Sequence, residues 1–570
     1  MWVKSHPFIA DGFFGASLYG LKRVCMCGRV KTRTKRLRET TGTKWRMIGM
    51  VLEKTGKIVG YYVQTTLNVF LFLLIVVFPY YAPEGYVKLG AYKYTFFRET
   101  GVQCLLMMLP AAILLLAWNW KHLSWGRLSW TDRAMLFYAA AVTLSYVCTD
   151  WKEKAVWGAE GWSMGLVSQL MFVAIYFAIS RFAGRAEIWY AVFPAASSGV
   201  FLIGLLNRFS VYPFGMDPNE PAYFISTIGN INWFCGYWSV LFPVGLVSYW
   251  SGVRGKWWGR AALVSYVVLG YMVGIVQGSS SGVLVLGAVL FVLLVLSFEE
   301  NDRLLRWLEL MLFLAGSAVA VGVIKWLFPM ALNYESALES WMTQAAVCGV
   351  LLGGTAACYA MAWYWLKIRQ KTVRTLRRGV RRTAAVTVCL AGIVIVTVAV
   401  CCNIVRDRTG AMSGTVSLLR FDRYWGNGRG AAWTAGWKTF AAMPSAQKLV
   451  GAGPDCFESC VYSDPQIAEM LHSVFGTSRL TNAHNELLTV LVNTGVCGLV
   501  SYAAIFATAI RRQIRAALQD HSCCLYASAV GILAYAVHNV VSFQQVVSTP
   551  LVFILIGLGE SLLRRDKSFV

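Results

Sequence analysis

Residues 281–298 read SGVLVLGAVLFVLLVLSF, a run of 18 residues without a single charged side chain. Because an α-helix rises about 1.5 Å per residue, such a run crosses most of the roughly 30 Å hydrocarbon core of a bilayer. Similar apolar runs recur along most of the 570-residue chain, separated by short polar stretches. The pattern predicts an all-α fold, a polytopic integral membrane helix bundle.

The overall composition supports the same fold class. Hydrophobic residues make up 57% of the chain and charged residues only 14%. An average soluble domain contains about 25% charged residues. The composition therefore excludes a soluble enzyme.

The apolar runs predict about fourteen transmembrane helices. These spans lie near residues 58–80, 102–118, 133–149, 163–181, 188–206, 233–251, 262–277, 281–298, 307–325, 341–366, 383–404, 484–509, 523–541 and 548–563. The predicted organisation is a basic cytoplasmic arm (1–57), transmembrane helices 1–11 (58–404), one large folded extracytoplasmic loop (405–483), transmembrane helices 12–14 (484–563) and a cytoplasmic tail (564–570).

The distribution of basic residues sets the predicted orientation. The chain has 52 Lys and Arg against 28 Asp and Glu, a formal charge of +24. In a soluble protein this excess of positive charge would suggest that nucleic acid is a binding partner. Here the basic residues concentrate in 1–57 and 367–382, next to apolar spans. Cytoplasmic flanks facing anionic lipid explain that position better, so we expect membrane lipids and no nucleic acid as partners.

Most of the 15 cysteines lie in apolar spans and form no CxxC pair, which argues against a zinc site. Cys456 and Cys460 could form a disulfide if their loop is extracytoplasmic. A spacing of four residues on a regular helix would disfavour that bond.

The large loop is rich in arginine, whose guanidinium group matches phosphate oxygens in a bidentate manner. Its arginines are Arg406, Arg408, Arg420, Arg423 and Arg429. Arg429 follows residues 426–428, Gly-Asn-Gly, and opens a stretch with aromatic residues at helical spacing. Asn427 could therefore cap a helix whose free N–H groups face an anion beside Arg429. Alternatively, these arginines only solvate the loop or bind lipid headgroups.

Residues 481–488, TNAHNELL, begin the twelfth predicted span. Asn482 is a candidate N-cap, which would place His484 in the first helical turn at the membrane interface. A helix N-terminus disfavours the imidazolium, so His484 would stay neutral and able to accept a proton. The alternative is an interfacial histidine without function.

These residues carry a resemblance to a known family. His484-Asn485, nine further residues and then Gly495-x-x-Gly498, directly after the largest outer loop, resemble the signature of the O-antigen ligase and O-antigen polymerase superfamily. Three further segments, residues 226–232, 428–433 and 443–457, resemble other conserved patterns of that family. The resemblance extends from about residue 66 to 562.

The resemblance implies a bacterial plasma-membrane glycosyltransferase with its active site on the extracytoplasmic face. It would transfer a glycan from a polyprenyl-diphosphate-linked donor to a hydroxyl of a glycan or lipid acceptor, inverting the anomeric carbon. His484 would be the general base, and Arg429 would stabilise the departing diphosphate. The implied substrate-binding residues are Arg420, Arg423, Asn485, Asn230 and Asn232. Ligase and polymerase activities remain equally open.

The sequence also predicts catalysis without a metal or another cofactor. It contains no Asp-x-Asp pair, and the acids of the loop are scattered singly among arginines. A Mg²⁺ site near phosphates usually includes one or two carboxylates.

One segment departs from the family pattern. Family members often carry a Ser-Arg pair after the seventh span, whereas residues 278–282 read GSSSG. Arg420, Arg423 or Arg208 could replace the missing cation. His538-Asn539, at the outer end of the thirteenth span, either faces the same cavity or only packs.

Two other classes of function remain open. A transporter or flippase would need a polar pathway through the membrane. A non-catalytic protein that binds lipid-linked glycan is the third possibility.

Overall fold

A computed structural model describes residues 55–119, 128–217, 219, 221–252, 256–373 and 421–565, with isolated positions between 379 and 390. Several predictions fall outside these residues: Arg420, Arg406 and Arg408, nearly all of the basic arm, the span near 383–404 and the last residues of the tail.

The described residues are almost entirely helical. The transmembrane part contains α1 (Thr55–Tyr80), α2 (Leu89–Asn119), α3 (Trp130–Cys148), α4 (Lys152–Trp157), α5 (Leu166–Phe182), α6 (Ala186–Arg208), α7 (Ile231–Ser251), α8 (Trp257–Val276), α9 (Ser280–Ser297), α10 (Asn301–Leu327), α11 (Ala337–Met342) and α12 (Ala345–Trp363). After the gap follow α13 (Trp425–Ala442), α14 (Ser445–Val450), α15 (Phe457–Val461), α16 (Pro465–Phe475), α17 (Glu486–Asp520), α18 (Cys523–His538) and α19 (Thr549–Arg565). Two short antiparallel strands, β1 (Phe224–Ile225) and β2 (Gly229–Asn230), precede α7.

Nine helices in the described part of the chain are long and apolar enough to cross a membrane: α1, α2, α6, α7, α8, α9, α10, α12 with the turn that follows it, and α17. Helices α5 and α18 are apolar but shorter. The fold is that of a helical membrane protein, as the apolar runs predict. The count of about fourteen spans remains a prediction.

The prediction for the second span is wrong at its start. Helix α2 begins at Leu89, well before the predicted residue 102, because its first turns carry charged residues that lower the hydropathy. Lys93 is fully buried there, and its Nζ donates hydrogen bonds to the carbonyl oxygens of Phe78 (2.7 Å) and Pro79 (2.9 Å). These carbonyls lie at the end of α1 and also accept from the Tyr81 N–H and the Thr227 hydroxyl, so the lysine joins a hydrogen-bonded helix end.

Helices α3, α5, α17, α18 and α19 form the part of the bundle that carries the candidate site. Helix α18 packs on α7 and α17, α17 packs on α3, and α19 packs on α5. At one end, Asp132 of α3 accepts from Arg181 of α5 (3.1 Å) and from Arg564 of α19. The candidate site lies at the opposite end, where α3 ends and α17 begins.

The described part of the large loop, residues 421–483, contains α13 to α16. A hydrophobic cluster joins α13, α15 and α16. It includes Ala431, Phe457 and Leu471, and also Ala155 of α4 and Val492 of α17. The apolar side chains of this segment therefore build folded structure, as the sequence predicts. Its extracytoplasmic position remains a prediction.

Two glycine-rich segments join the loop to the bundle. The backbone N–H groups of Ala452 and Gly453 donate to the carbonyl oxygens of Val492 (2.9 Å) and Asn493 (2.8 Å). Gly495 has φ +65°, and a Cβ atom there would lie 2.3 Å from the Leu449 carbonyl oxygen. Only glycine permits both the backbone angle and this close approach. The resemblance motifs around 451–453 and 493–498 therefore contact each other.

Candidate functional site

His484 lies directly before α17 rather than in its first turn. The side chain of Asn485 accepts a hydrogen bond from the Leu488 N–H (3.0 Å) and caps the helix. Asn482 accepts instead from the His484 N–H (3.0 Å), and His484 has φ +47°. The prediction that Asn482 is the N-cap is therefore wrong, because the chain turns once more before the helix begins. Asn485, predicted to bind substrate, uses its side chain for this cap.

The imidazole of His484 packs edge-on against the ring of Phe543, with centroids 5.0 Å apart. It has no side-chain hydrogen bond to any residue that the structure describes. Burial and the positive charge of Arg429 lower the pKa of His484 to about 4. The ring is therefore neutral at physiological pH and keeps a free nitrogen to accept a proton.

Arg429 lies close enough to His484 for their charges to interact. Its Nε donates to the Val541 carbonyl oxygen (3.1 Å), and a terminal nitrogen donates to the Gly426 carbonyl oxygen (2.9 Å). The guanidinium group is thus held by two backbone carbonyls, and no carboxylate in the described residues neutralises it. An anion that binds here meets an oriented, unneutralised cation.

The predicted cap at Asn427 is wrong. Residues 426–428 all have positive φ, and Asn427 is exposed and accepts no capping hydrogen bond among the described residues. The regular helix begins at Arg429, and the Ala431 N–H already donates to the Arg423 carbonyl oxygen (3.1 Å). The tight turn therefore places Arg429 at the start of the regular helix, where the Ala431 N–H is already paired.

Residues 539–548 connect α18 to α19, and we call them the polar connector. The Asn539 carbonyl oxygen accepts from the Glu486 N–H (2.9 Å), and the Val541 carbonyl oxygen accepts from Arg429. The ring of Phe543 contacts His484. The polar connector therefore holds both predicted catalytic residues in one place.

Sequence reasoning missed the polar connector and its partners. The Oε1 of Gln544 accepts from the Nε2 of Gln169 on α5 (2.6 Å), and Asn539 donates to the carboxylate of Glu486. The only signal in the sequence is three polar residues between two apolar spans, Ser542, Gln544 and Gln545. Nothing in these residues indicates which distant helices they contact.

His538 ends α18 beside this group and is fully buried. Neither ring nitrogen has a hydrogen-bond partner in the described part of the chain. A Cβ atom on Gly236 of α7 would lie 3.2 Å from its Nε2, and Arg429 is close enough to interact with it electrostatically. His538 therefore packs against α7 and also borders the candidate site.

Asn230 and Asn232 lie at the start of α7. The Asn230 side chain accepts from the Asn232 N–H (2.9 Å) and caps this helix. The Oδ1 of Asn232 accepts from the hydroxyl of Ser279 (3.2 Å), which also bonds Ser281 (2.7 Å). Asn232 therefore contacts residues 278–282, the segment that departs from the family pattern, whereas the Asn230 side chain caps α7.

The three candidate replacements for the missing cation differ in position. Arg208 is buried next to residues 278–282: it donates to the carbonyl oxygens of Gln277 (2.7 Å) and Ala222 and lies 4.8 Å above the Tyr334 ring. Arg423 is exposed in the loop, and Arg420 lies outside the described residues. Of the three arginines, Arg208 is therefore the one that lies beside residues 278–282.

A row of aromatic rings joins the two halves of the candidate site. Phe543 packs against Trp162 (4.8 Å between centroids), and Trp162 packs against Trp233 (5.4 Å), the neighbour of Asn232. The row starts at His484, so the predicted residues of α7 and α17 border one region.

No family model matches this chain, and no curated protein matches it.

Cys456 and Cys460 do not form a disulfide. Both are buried free thiols one helical turn apart, with the Cys460 N–H donating to the Cys456 carbonyl oxygen (3.0 Å). Burial raises the pKa of Cys456 to about 12 and that of Cys460 to about 11. Both thiols are therefore protonated core residues.

Among the described residues, no group of three or more His, Cys, Asp or Glu side chains is arranged to hold a metal ion. Metal-independent catalysis remains a prediction.

Proposed function

We propose that this protein is a membrane glycosyltransferase of the O-antigen ligase and polymerase type. It transfers a glycan from a polyprenyl-diphosphate-linked donor to an acceptor hydroxyl on the outer face of the bacterial plasma membrane. The observation that carries the proposal is the pairing of a neutral His484 with an unneutralised Arg429 on the polar connector. One group can accept a proton while the other attracts an anion.

In this mechanism His484 removes the proton of the acceptor hydroxyl. The acceptor oxygen attacks the anomeric carbon of the donor, and the bond from that carbon to the diphosphate oxygen breaks. Arg429 stabilises the negative charge that develops on the departing diphosphate. A single displacement inverts the configuration of the anomeric carbon.

The electrostatics of the pair links donor binding to the strength of the base. Without donor, Arg429 disfavours the protonated imidazole. A bound diphosphate offsets the arginine charge, so the pKa of His484 rises towards the value at which a general base is most effective.

The direct test uses purified protein in lipid nanodiscs with a polyprenyl-diphosphate-linked oligosaccharide and a hydroxyl acceptor. The proposal requires release of free polyprenyl diphosphate together with a glycosylated acceptor. Donor binding without release would indicate a non-catalytic binder. Movement of intact donor across proteoliposome membranes, without cleavage, would indicate a flippase. Supplying either lipid-linked glycan or another acceptor separates polymerase from ligase activity.

Arg429→Lys should weaken both donor binding and catalysis. Lysine keeps the charge but loses the bidentate fork, and a charge-assisted contact of this kind contributes about 1.5–3 kcal/mol. Donor Kd and kcat/KM for the variant measure the two effects. The matched control is Arg479→Lys, which changes an arginine of the same loop whose side chain is 56% exposed. Equal effects of the two substitutions would contradict a specific role for Arg429.

The pH dependence of kcat/KM should follow the protonation of His484. Because its pKa is lowered to about 4, the histidine is protonated, and inactive as a base, only as the pH falls through that value. We expect kcat/KM to stay constant from neutral pH down to roughly one unit above that pKa and then to fall. In Arg429→Gln the arginine charge is gone, so the acidic limb should move to higher pH. An acidic limb at the same pH in both proteins would exclude this coupling.

A further inference from the structure

Five charged side chains form a continuous series of ion pairs at the end of the bundle opposite the candidate site. We call them the ion chain, and in order they are Arg181, Asp132, Arg564, Glu560 and Arg512. The nitrogen–oxygen distance is 3.1 Å between Arg181 and Asp132, 3.2 Å between Arg564 and Glu560, and 3.1 Å between Arg512 and Glu560. The series crosses α5, α3, α19 and α17. Its arginines exceed its carboxylates by one positive charge.

The carboxylates and the guanidinium groups of the ion chain differ in exposure. The side chains of Asp132 and Glu560 are 0% and 3% exposed. Those of Arg181, Arg512 and Arg564 are 28%, 24% and 29% exposed. Within the described part of the chain, Arg512 and Arg564 each reach the carboxylates through one terminal nitrogen, and the second terminal nitrogen of each makes no hydrogen bond. The exposed side of the ion chain is therefore cationic and offers donors to an anion.

Further hydrogen bonds fix the Asp132 carboxylate in the ion chain. It also accepts from the Tyr176 hydroxyl (2.7 Å) and from the Ser129 N–H (2.8 Å). Because the carboxylate is held in this way, Arg181 and Arg564, which pair with it, are oriented as well. An anion that arrives from outside meets cations that are already in place, which lowers the entropic cost of binding.

The surroundings of the ion chain combine more arginine with an apolar surface. Residues 511–520 and 560–565 together contain five arginines and two acids. On α3, Trp130, Phe137 and Leu144 are exposed, and because seven residues separate each from the next, they lie on one face of the helix. The guanidinium carbon of Arg133 lies 4.8 Å from the centroid of the Trp130 ring. A cation at the end of an exposed apolar helix face suits a lipid headgroup above its acyl chains.

We propose that the ion chain binds the phosphate group of an anionic phospholipid, whose acyl chains follow the exposed face of α3. A soluble anion would not use that apolar face. Phosphatidylcholine would bring its own ammonium group close to the arginines, whereas phosphatidylglycerol carries only the negative charge. The site goes beyond the proposed function and does not depend on transferase activity. The predicted orientation places it at the cytoplasmic leaflet, away from the donor.

The test is native mass spectrometry of the full-length protein in detergent, titrated with dioleoyl phosphatidylglycerol or with dioleoyl phosphatidylcholine. We expect phosphatidylglycerol to bind at least about fivefold more tightly than phosphatidylcholine. Arg512→Gln should weaken binding of phosphatidylglycerol about fivefold, since one cation near the phosphate is lost, and should leave binding of phosphatidylcholine nearly unchanged. Inorganic phosphate at millimolar concentration should not displace the lipid, because it makes no contact with the apolar face.

Arg133→Gln supplies a second variant, because it removes a cation beside Trp130 and leaves every ion pair of the ion chain in place. It tests lipid binding even if Arg512→Gln destabilises the bundle, and we expect a similar loss of phosphatidylglycerol affinity. The matched control is Arg260→Gln, which changes an arginine of α8 whose side chain is 70% exposed. The melting temperature of each variant without added lipid reports on its folding.

Three results would overturn the lipid site. The first is equal binding of phosphatidylglycerol and phosphatidylcholine. The second is displacement of phosphatidylglycerol by inorganic phosphate, which would indicate a site for free phosphate. The third is an Arg133→Gln protein that matches the Arg260→Gln control in phosphatidylglycerol affinity. None of these measurements needs donor or turnover, so they leave the proposed transferase activity untouched.

Discussion

Replacing His484 with alanine is expected to lower turnover by roughly 10²–10⁴-fold while donor binding stays nearly unchanged. Proton removal is needed only in the transition state, so the loss should appear in kcat and not in donor Kd. Release of polyprenyl diphosphate in single-turnover reactions and equilibrium donor binding measure the two quantities.

His472→Ala is the matched control for this substitution. His472 is exposed in α16 and bonds only the carbonyl oxygen of Gly476 in the described structure, so its loss should not affect transfer. A well-folded His484→Ala protein that transfers glycan at the wild-type rate would remove the histidine from the mechanism.

Replacing Asp132 with alanine should lower the free energy of unfolding by roughly 3–5 kcal/mol, the cost of breaking a buried charge pair from one side. Asp132 is fully buried, accepts from the Tyr176 hydroxyl (2.7 Å) and faces Arg181 and Arg564. Its loss leaves two cations without their shared carboxylate between α3, α5 and α19. Thermal or SDS-induced unfolding in detergent measures the change.

Asp302→Ala provides the comparison, because Asp302 forms an ion pair with Lys367 in which both side chains are about half exposed. Exposed pairs contribute at most about 1 kcal/mol. Equal destabilisation by the two substitutions would show that the Asp132 cluster does not hold the bundle together.

The sequence predicts the helical membrane fold because apolar runs of this length have few other solutions in a bilayer. Prediction from the sequence fails where a polar side chain finds its hydrogen-bond partner in a distant segment of the chain. Lys93 lowers the hydropathy of α2, yet its buried ammonium group donates hydrogen bonds to the last carbonyl oxygens of α1. A window of residues along the chain does not reveal that arrangement, so the start of α2 was predicted too late.

The candidate site was predicted in part. His484 and Arg429 were singled out by their local sequence, and the structure brings them together. The polar connector explains their proximity. Its Val541 carbonyl oxygen contacts Arg429, and its Phe543 ring contacts His484, so it joins segments that are more than fifty residues apart in the chain. Local signals also misassigned the caps, because Asn482 and Asn485 are equally good cap residues and the backbone turn at His484 selects between them.

The polar connector follows both Arg429 and His484 in the chain and is synthesised after them. Arg429 and His484 leave the ribosome before it does, and without residues 539–548 neither the Val541 carbonyl nor the Phe543 ring is available to position them. The contacts that hold the two candidate residues therefore form only after residues 539–548 have been added. A nascent chain that stalls before residue 539 therefore carries Arg429 and His484 without the contacts that position them.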